Sequence, residues 1–162
     1  ITGTRALEGE GFAAVINTGA TARLTRARLV DNEAFSAGAF NASLTLSETE
    51  ITGTTPARCD PRQCDGTLYG TAVLSAIGAS VELRGFSLRG NALCGVQLAS
   101  AGTVDLHDGE VVGNTIGVNV QTDDFDVSRL EDGVTYAGNA RDLDSAELPL
   151  PELALDPALP GG

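Results

Sequence analysis

The sequence predicts an all-β solenoid, a β-helix of about five to six coils with three short strands in each. Three observations lead there. One form recurs along the chain, a large apolar residue, a spacer, Gly or Asp, then Asn or Thr: Ile1 to Thr4, Leu29 to Asn32, Ile51 to Thr54, Leu88 to Asn91, Val111 to Asn114 and Tyr136 to Asn139. Leucines stand five residues before four of these anchors (Leu24, Leu46, Leu83, Leu106), and Ala22, Leu44, Val81 and Val104 stand seven before. Between the turns the residues alternate apolar and polar, as in Val104, Asp105, Leu106, His107, which is strand periodicity.

The clearest copy is Thr103 to Val120, where Asp108-Gly109 and Gly113-Asn114 split three strand-like runs with no room for a helix. Residues 1–10 hold a partial coil. The segment 11–32 is the first full one, with Phe12, Ala14 and Ile16 expected on one face. Residues 33–54 form the next, where Phe35 and Phe40 are expected to fill the interior. The segment 54–70 interrupts the repeat with Pro56, Pro61, Cys59 and Cys64 and should protrude as a loop. Coils four and five, 80–114, are the most regular, and the coil over 115–139 carries an insertion at 121–132. After Asn139 four of the six prolines cluster among acidic residues and spaced leucines, so 140–162 reads as a Pro-rich acidic tail or cap following a solenoid over 1–139. Leu148, Leu150, Leu153 and Leu155 are suited to folding over the last coil.

Neighbouring coils of such a solenoid lie ~4.8 Å apart, so equivalent residues stack. Asn32, Thr54, Asn91, Asn114 and Asn139 then form a ladder at one turn, with Thr54 as a hydroxyl substitute, and the preceding glycines supply positive φ. Arg26 falls over Glu48 and Arg28 over Glu50, opposite charges at matching positions.

The repeat resembles the right-handed parallel β-helix repeats of secreted bacterial proteins, the architecture shared with pectate lyases, over about residues 1–139. The resemblance implies a right-handed parallel solenoid and a secreted or surface location. It does not imply one activity, since lyases, hydrolases, adhesins and stalks share it.

Composition narrows the partners. Aromatic residues are only 4% of the chain against 42% apolar, which suits a narrow interior of stacked aliphatic side chains. A formal charge of −12 excludes nucleic acid, whose phosphates it would repel. No run reaches the roughly 18 apolar residues of a membrane span, so no membrane insertion is expected. The chain opens within a repeat at Ile1, and the expectation is of a longer precursor. The remaining partner classes are a polysaccharide, or another copy of the chain through the N-terminal coil edge.

Glu82, Arg84, Asp105 and His107 form the sharpest candidate site. The register puts Glu82 beside Asp105 and Arg84 beside His107, two carboxylates about 5 Å apart, as a retaining glycosidase needs. A carboxylate, an arginine and a histidine would equally serve polyuronate cleavage. Against both stands the absence of any Trp to stack on a sugar ring, which favours a solvated face whose charges neutralise one another. Asp123, Asp124 and Asp126 are candidate Ca²⁺ ligands, with Glu131 and Asp132 to complete the shell, although the spacing of a calcium loop is missing. No other cofactor is implied. Cys59 and Cys64 are expected to form a disulfide, because a metal site would need two more soft ligands. The function expected is a rigid structural or adhesive module, with a β-helix lyase or glycoside hydrolase acting through the Glu82/Asp105 face as the alternative.

Overall fold

In the computed structural model, residues 1–5, 11–57, 69–148 and 150 are described. They form a parallel β-solenoid of about five turns, with 58% of them in strands and 3% in helix, so alternation rather than helical period governs the chain. The first complete coil holds β1 (Phe12–Asn17), β2 (Thr21–Thr25) and β3 (Arg28–Val30). The second holds β4 (Phe35–Phe40), β5 (Ser43–Ser47) and β6 (Glu50–Thr52), and the third β7 (Thr71–Ala76), β8 (Ser80–Arg84) and β9 (Ser87–Arg89). In the fourth, β10 (Cys94–Ala99) is followed by β11 (Thr103–Val112), one strand that continues around the second bend. The fifth has β12 (Ile116–Gln121), a 3-10 turn (Val127–Leu130) where its middle strand would stand, and β13 (Asp132–Ala137). The sheet does not stop at the expected boundary of 139: β14 (Arg141–Asp144) pairs with β12 and opens a further coil.

Two parallel sheets result, β1-β4-β7-β10-β12-β14 and a bent sheet β2-β5-β8-β11-β9-β6-β3, with β13 added to β11. The aliphatic columns pair as the repeat predicts. Leu24, Leu46, Leu83 and Leu106 are in register, as are Ala22, Leu44, Val81 and Val104. Leu29, Ile51, Leu88, Val111 and Tyr136 make the third column. Each fully buried leucine contributes about 1.5–3 kcal/mol relative to exposure, so these columns carry the stability. At the bend before β9 the interior also takes Phe86, and Gly109 must be glycine, since a Cβ there would lie 2.4 Å from the Phe86 ring.

The turn ladder forms as expected. Gly3, Asp31, Gly53, Gly90, Gly113 and Gly138 all have positive φ, between 53° and 68°. The next residue reaches along the solenoid axis: Thr4 N donates to Asn32 Oδ1 at 3.1 Å, Thr54 N to Asn91 Oδ1 at 3.0 Å, Asn91 N to Asn114 Oδ1 at 3.0 Å and Asn114 N to Asn139 Oδ1 at 2.9 Å. Thr54 has no side-chain amide, and Ser36 bridges the gap: Asn32 Nδ2 donates to Ser36 Oγ at 3.3 Å, and Ser36 Oγ meets Thr54 Oγ1 at 2.7 Å.

Two expectations about packing are corrected. Phe35 and Phe40 do not join the stacked interior; with Ala34, Leu74 and Ala76 they make a second cluster, joined by Phe12, Tyr69 and Leu150. Phe12 therefore parts from Ile16, which packs on the main core. Phe12 stacks on Phe35 with ring centroids 4.8 Å apart and meets Phe40 edge-on at 5.6 Å. β4, β7 and β10 are consequently buried on both faces, whereas β2, β5 and β8 keep one polar face. The second correction concerns the tail. Asn119 Nδ2 donates to Ala146 O at 3.0 Å and Leu150 packs into the second cluster, so 144–148 and Leu150 lie as a strap against the outside of the first sheet rather than over the end of the last coil. Leu153 and Leu155 lie outside the described residues. So do Cys59 and Cys64, and with them the expected disulfide.

Of the two ion pairs expected between coils, Arg28–Glu50 forms at 2.7 Å. Among the described residues none joins Arg26 to Glu48, both of which stand at a bend with φ near 50°.

Candidate functional site

β8 and β11 position the candidate residues because they are neighbours in the bent sheet, with Asp105 paired to Glu82 and His107 to Arg84. Alternation turns Val81, Leu83, Val104 and Leu106 inward, leaving the four polar side chains on the outer face. The juxtaposition of the two carboxylates is therefore as the repeat predicts. Their partners are so for Glu82, which finds Arg84, but not for Asp105. Arg84 pairs with Glu82 on its own strand, Nε to Oε1 at 2.9 Å and Nη2 at 2.5 Å. Asp105 is held by Arg129 from the 3-10 turn, two parallel bonds of 2.7 Å from Nε and Nη2 to the two carboxylate oxygens. His107 Nδ1 lies 2.7 Å from Asp132 Oδ2, with its Nε2 4.0 Å from Glu82 Oε1.

The 3-10 turn reaches this face because it occupies the place of a missing strand. Leu130 turns inward and is buried in the main core, and Tyr136 Oη donates to Leu130 O at 2.9 Å. Burial raises the Tyr136 phenol well above its ordinary value and keeps it a donor. Outside, Arg129 lies over the Phe125 ring at 5.4 Å while it clamps Asp105.

Electrostatically this is a set of closed pairs. The hydrogen bonds from Arg129 hold the Asp105 carboxyl below the usual carboxylate range, with desolvation opposing and the charges of Arg129, His107 and Arg84 adding to the lowering. A general acid needs the opposite, a carboxyl raised toward neutral pH. Asp105 is thus a carboxylate fixed in an ion pair. The stabilisation it brings is complete above the unfolded-chain value near ~3.9 and drains as pH falls through its lower folded value. We expect the unfolding free energy of the wild type, from urea titrations, to fall more steeply as pH drops below about 4 than that of Asp105→Asn, by a difference of about 1 kcal/mol for a bidentate pair one-third exposed. Parallel curves for the two proteins would show that the clamp adds nothing.

The Ca²⁺ expectation is not supported by the geometry. Asp126 is the cap of the 3-10 turn, accepting from Ser128 N at 3.0 Å and Ser128 Oγ at 2.7 Å, and those bonds lower its carboxyl. Asp132 is engaged with His107. Asp123 and Asp124 are left exposed in the loop, and among the described residues no three His, Cys, Asp or Glu side chains converge on a metal position. Cys94 begins β10 fully buried, and burial pushes its thiol up to about 12, so it is an inert core residue.

Sequence reasoning missed Arg129, the residue that decides the character of the face. It sits in an aperiodic insertion, 24 residues from Asp105, where the repeat offers no register. The only signal was the spacing of an arginine one residue before a leucine able to plug the core. No protein-family model, curated protein or solved structure matches the chain.

Proposed function

We propose that the chain is a rigid structural or adhesive β-solenoid module of a secreted or surface-displayed bacterial protein, related to the right-handed parallel β-helix repeat proteins and not itself a catalyst. One observation carries the reading. On the face that brings two carboxylates together, each is already matched by an arginine of the chain, Glu82 by Arg84 and Asp105 by Arg129, and the Arg129 bonds hold Asp105 below the usual carboxylate range, the opposite of what protonating a leaving group requires. The side chains that do converge serve to fasten the insertion to the sheet, as a scaffold requires. With a formal charge of −12, any polysaccharide held by the polar faces is neutral rather than polyanionic.

The test is turnover. The wild type is expected to release neither reducing ends nor unsaturated uronate from neutral or acidic polysaccharides. Glu82→Gln with Asp105→Asn should leave any retardation in polysaccharide-containing gels within about twofold, as expected for surface pairs. Measurable cleavage by the wild type that vanishes in the double variant would reinstate the alternative, a β-helix lyase or hydrolase.

A further inference from the structure

The end of the solenoid away from Ile1 holds a feature that the scaffold role does not use. A groove of about 1260 Å³ runs between the insertion loop that follows β12 and the strap that follows β14. Two of the large apolar side chains left most exposed among the described residues stand on its walls, Val127 at 45% and Leu143 at 52%, with Phe125 beside them. Leu143 is in register with Val118, so it continues an interior column that has lost its cover. The rim is acidic on both sides, Asp123 and Asp124 on the loop and Glu147 on the strap, all exposed. No Arg or His is among the described residues that line it. β14 is the last strand of the first sheet among the described residues.

We propose that this groove is a docking site for a basic, extended peptide segment of a partner protein, in which arginines or lysines alternate with apolar residues. Three properties of the groove point to that occupant. An apolar floor requires apolar side chains from the ligand, which a polyamine or a neutral glycan does not bring. The acidic rim on both walls is complementary to cations and repels a polyanion. A terminal parallel strand presents donors and acceptors at the spacing of a polypeptide backbone, so an added strand places alternate side chains toward the floor and toward the rim. The chain's own segment after Leu150 is a poorer match, since its charged residues are Glu152 and Asp156, like in sign to the rim. This docking site is separate from the Glu82/Asp105 face and does not depend on how that face is read.

The probe is a fluorescein-labelled octapeptide of alternating Arg and Val, titrated with the full chain and followed by anisotropy. Controls are an Arg/Ser peptide of equal charge and a Glu/Val peptide. Saturable binding of the Arg/Val peptide alone is expected. The combined variant Asp123→Asn, Asp124→Asn, Glu147→Gln should weaken it about tenfold, as the loss of three charge pairs implies. Leu143→Ser, an exposed position, should weaken it independently of salt. Equal binding of the Arg/Ser peptide would mean that net charge alone attracts the probe and would overturn the proposal. So would no saturable binding, the groove then being filled by the chain's own residues after Leu150. A mass that rises with protein concentration in sedimentation, and that the peptide does not reverse, would assign the groove to a second copy and equally overturn it.

Discussion

Asn114→Leu is expected to lower the free energy of unfolding by about 3–5 kcal/mol, because one buried amide makes four bonds to three neighbouring residues and each buried group left unpaired costs about 1–3 kcal/mol. Asn114 Oδ1 accepts from Asn91 N at 3.0 Å and from Asn91 Nδ2 at 2.9 Å. Its own Nδ2 donates to Leu88 O at 3.2 Å and to Asn139 Oδ1 at 3.1 Å. Leucine nearly matches the volume and answers none of these groups. The side chain is almost fully buried, so water cannot replace the lost partners without opening the bend. Asn114→Thr should cost less, since Thr54 shows that a hydroxyl is tolerated in the ladder. Equilibrium urea unfolding followed by far-UV circular dichroism measures both. A loss under about 1 kcal/mol for the leucine variant would mean that the ladder is incidental to stability.

Leu83→Ala should cost a similar amount, about 3–5 kcal/mol, as the removal of a wholly buried leucine from a packed core does. Leu83 sits between Leu46 and Leu106 with coils on either side, so the cavity cannot collapse without parting two strand pairs. Leu24→Ala, at the half-buried start of the same column, should cost about 1–2 kcal/mol, because part of the side chain already meets solvent. The contrast matters more than either value. In a solenoid each coil contacts only its neighbours, so position along the stack sets the cost of an identical deletion. Equal losses at the two positions would show that the N-terminal coil is as enclosed as the centre.

These two predictions rest on what the sequence determined by itself. Repetition makes register legible: once Leu46, Leu83 and Leu106 fall at the same distance before their anchors, parallel stacking at a fixed spacing follows, and the charges on Arg28 and Glu50 fall into place. The same repetition fixed the left-handed turn positions and the asparagine ladder, since a residue that must satisfy the next coil's backbone recurs at every coil. It also brought Glu82 beside Asp105, because adjacent copies of one repeat are adjacent in space.

The tertiary structure decided the rest, and in each case the deciding residue lies off the period. Phe35 and Phe40 belong to a strand whose two faces are both apolar, and alternation cannot say which face is the interior when the other is covered as well. What covers it includes Tyr69 and Leu150, from an insertion and from the strap, neither of which the repeat places. Arg129 closes the pair with Asp105 from a turn that replaces a strand, and Asp132 closes the pair with His107. A periodic sequence specifies the contacts between its copies, whereas a contact between a copy and an insertion depends on the path of a loop that no neighbouring coil repeats. That is why the stacked columns, the turn ladder and the pairing of Glu82 with Arg84 could be read from the chain, while the partners that close on Asp105 and His107 required the fold.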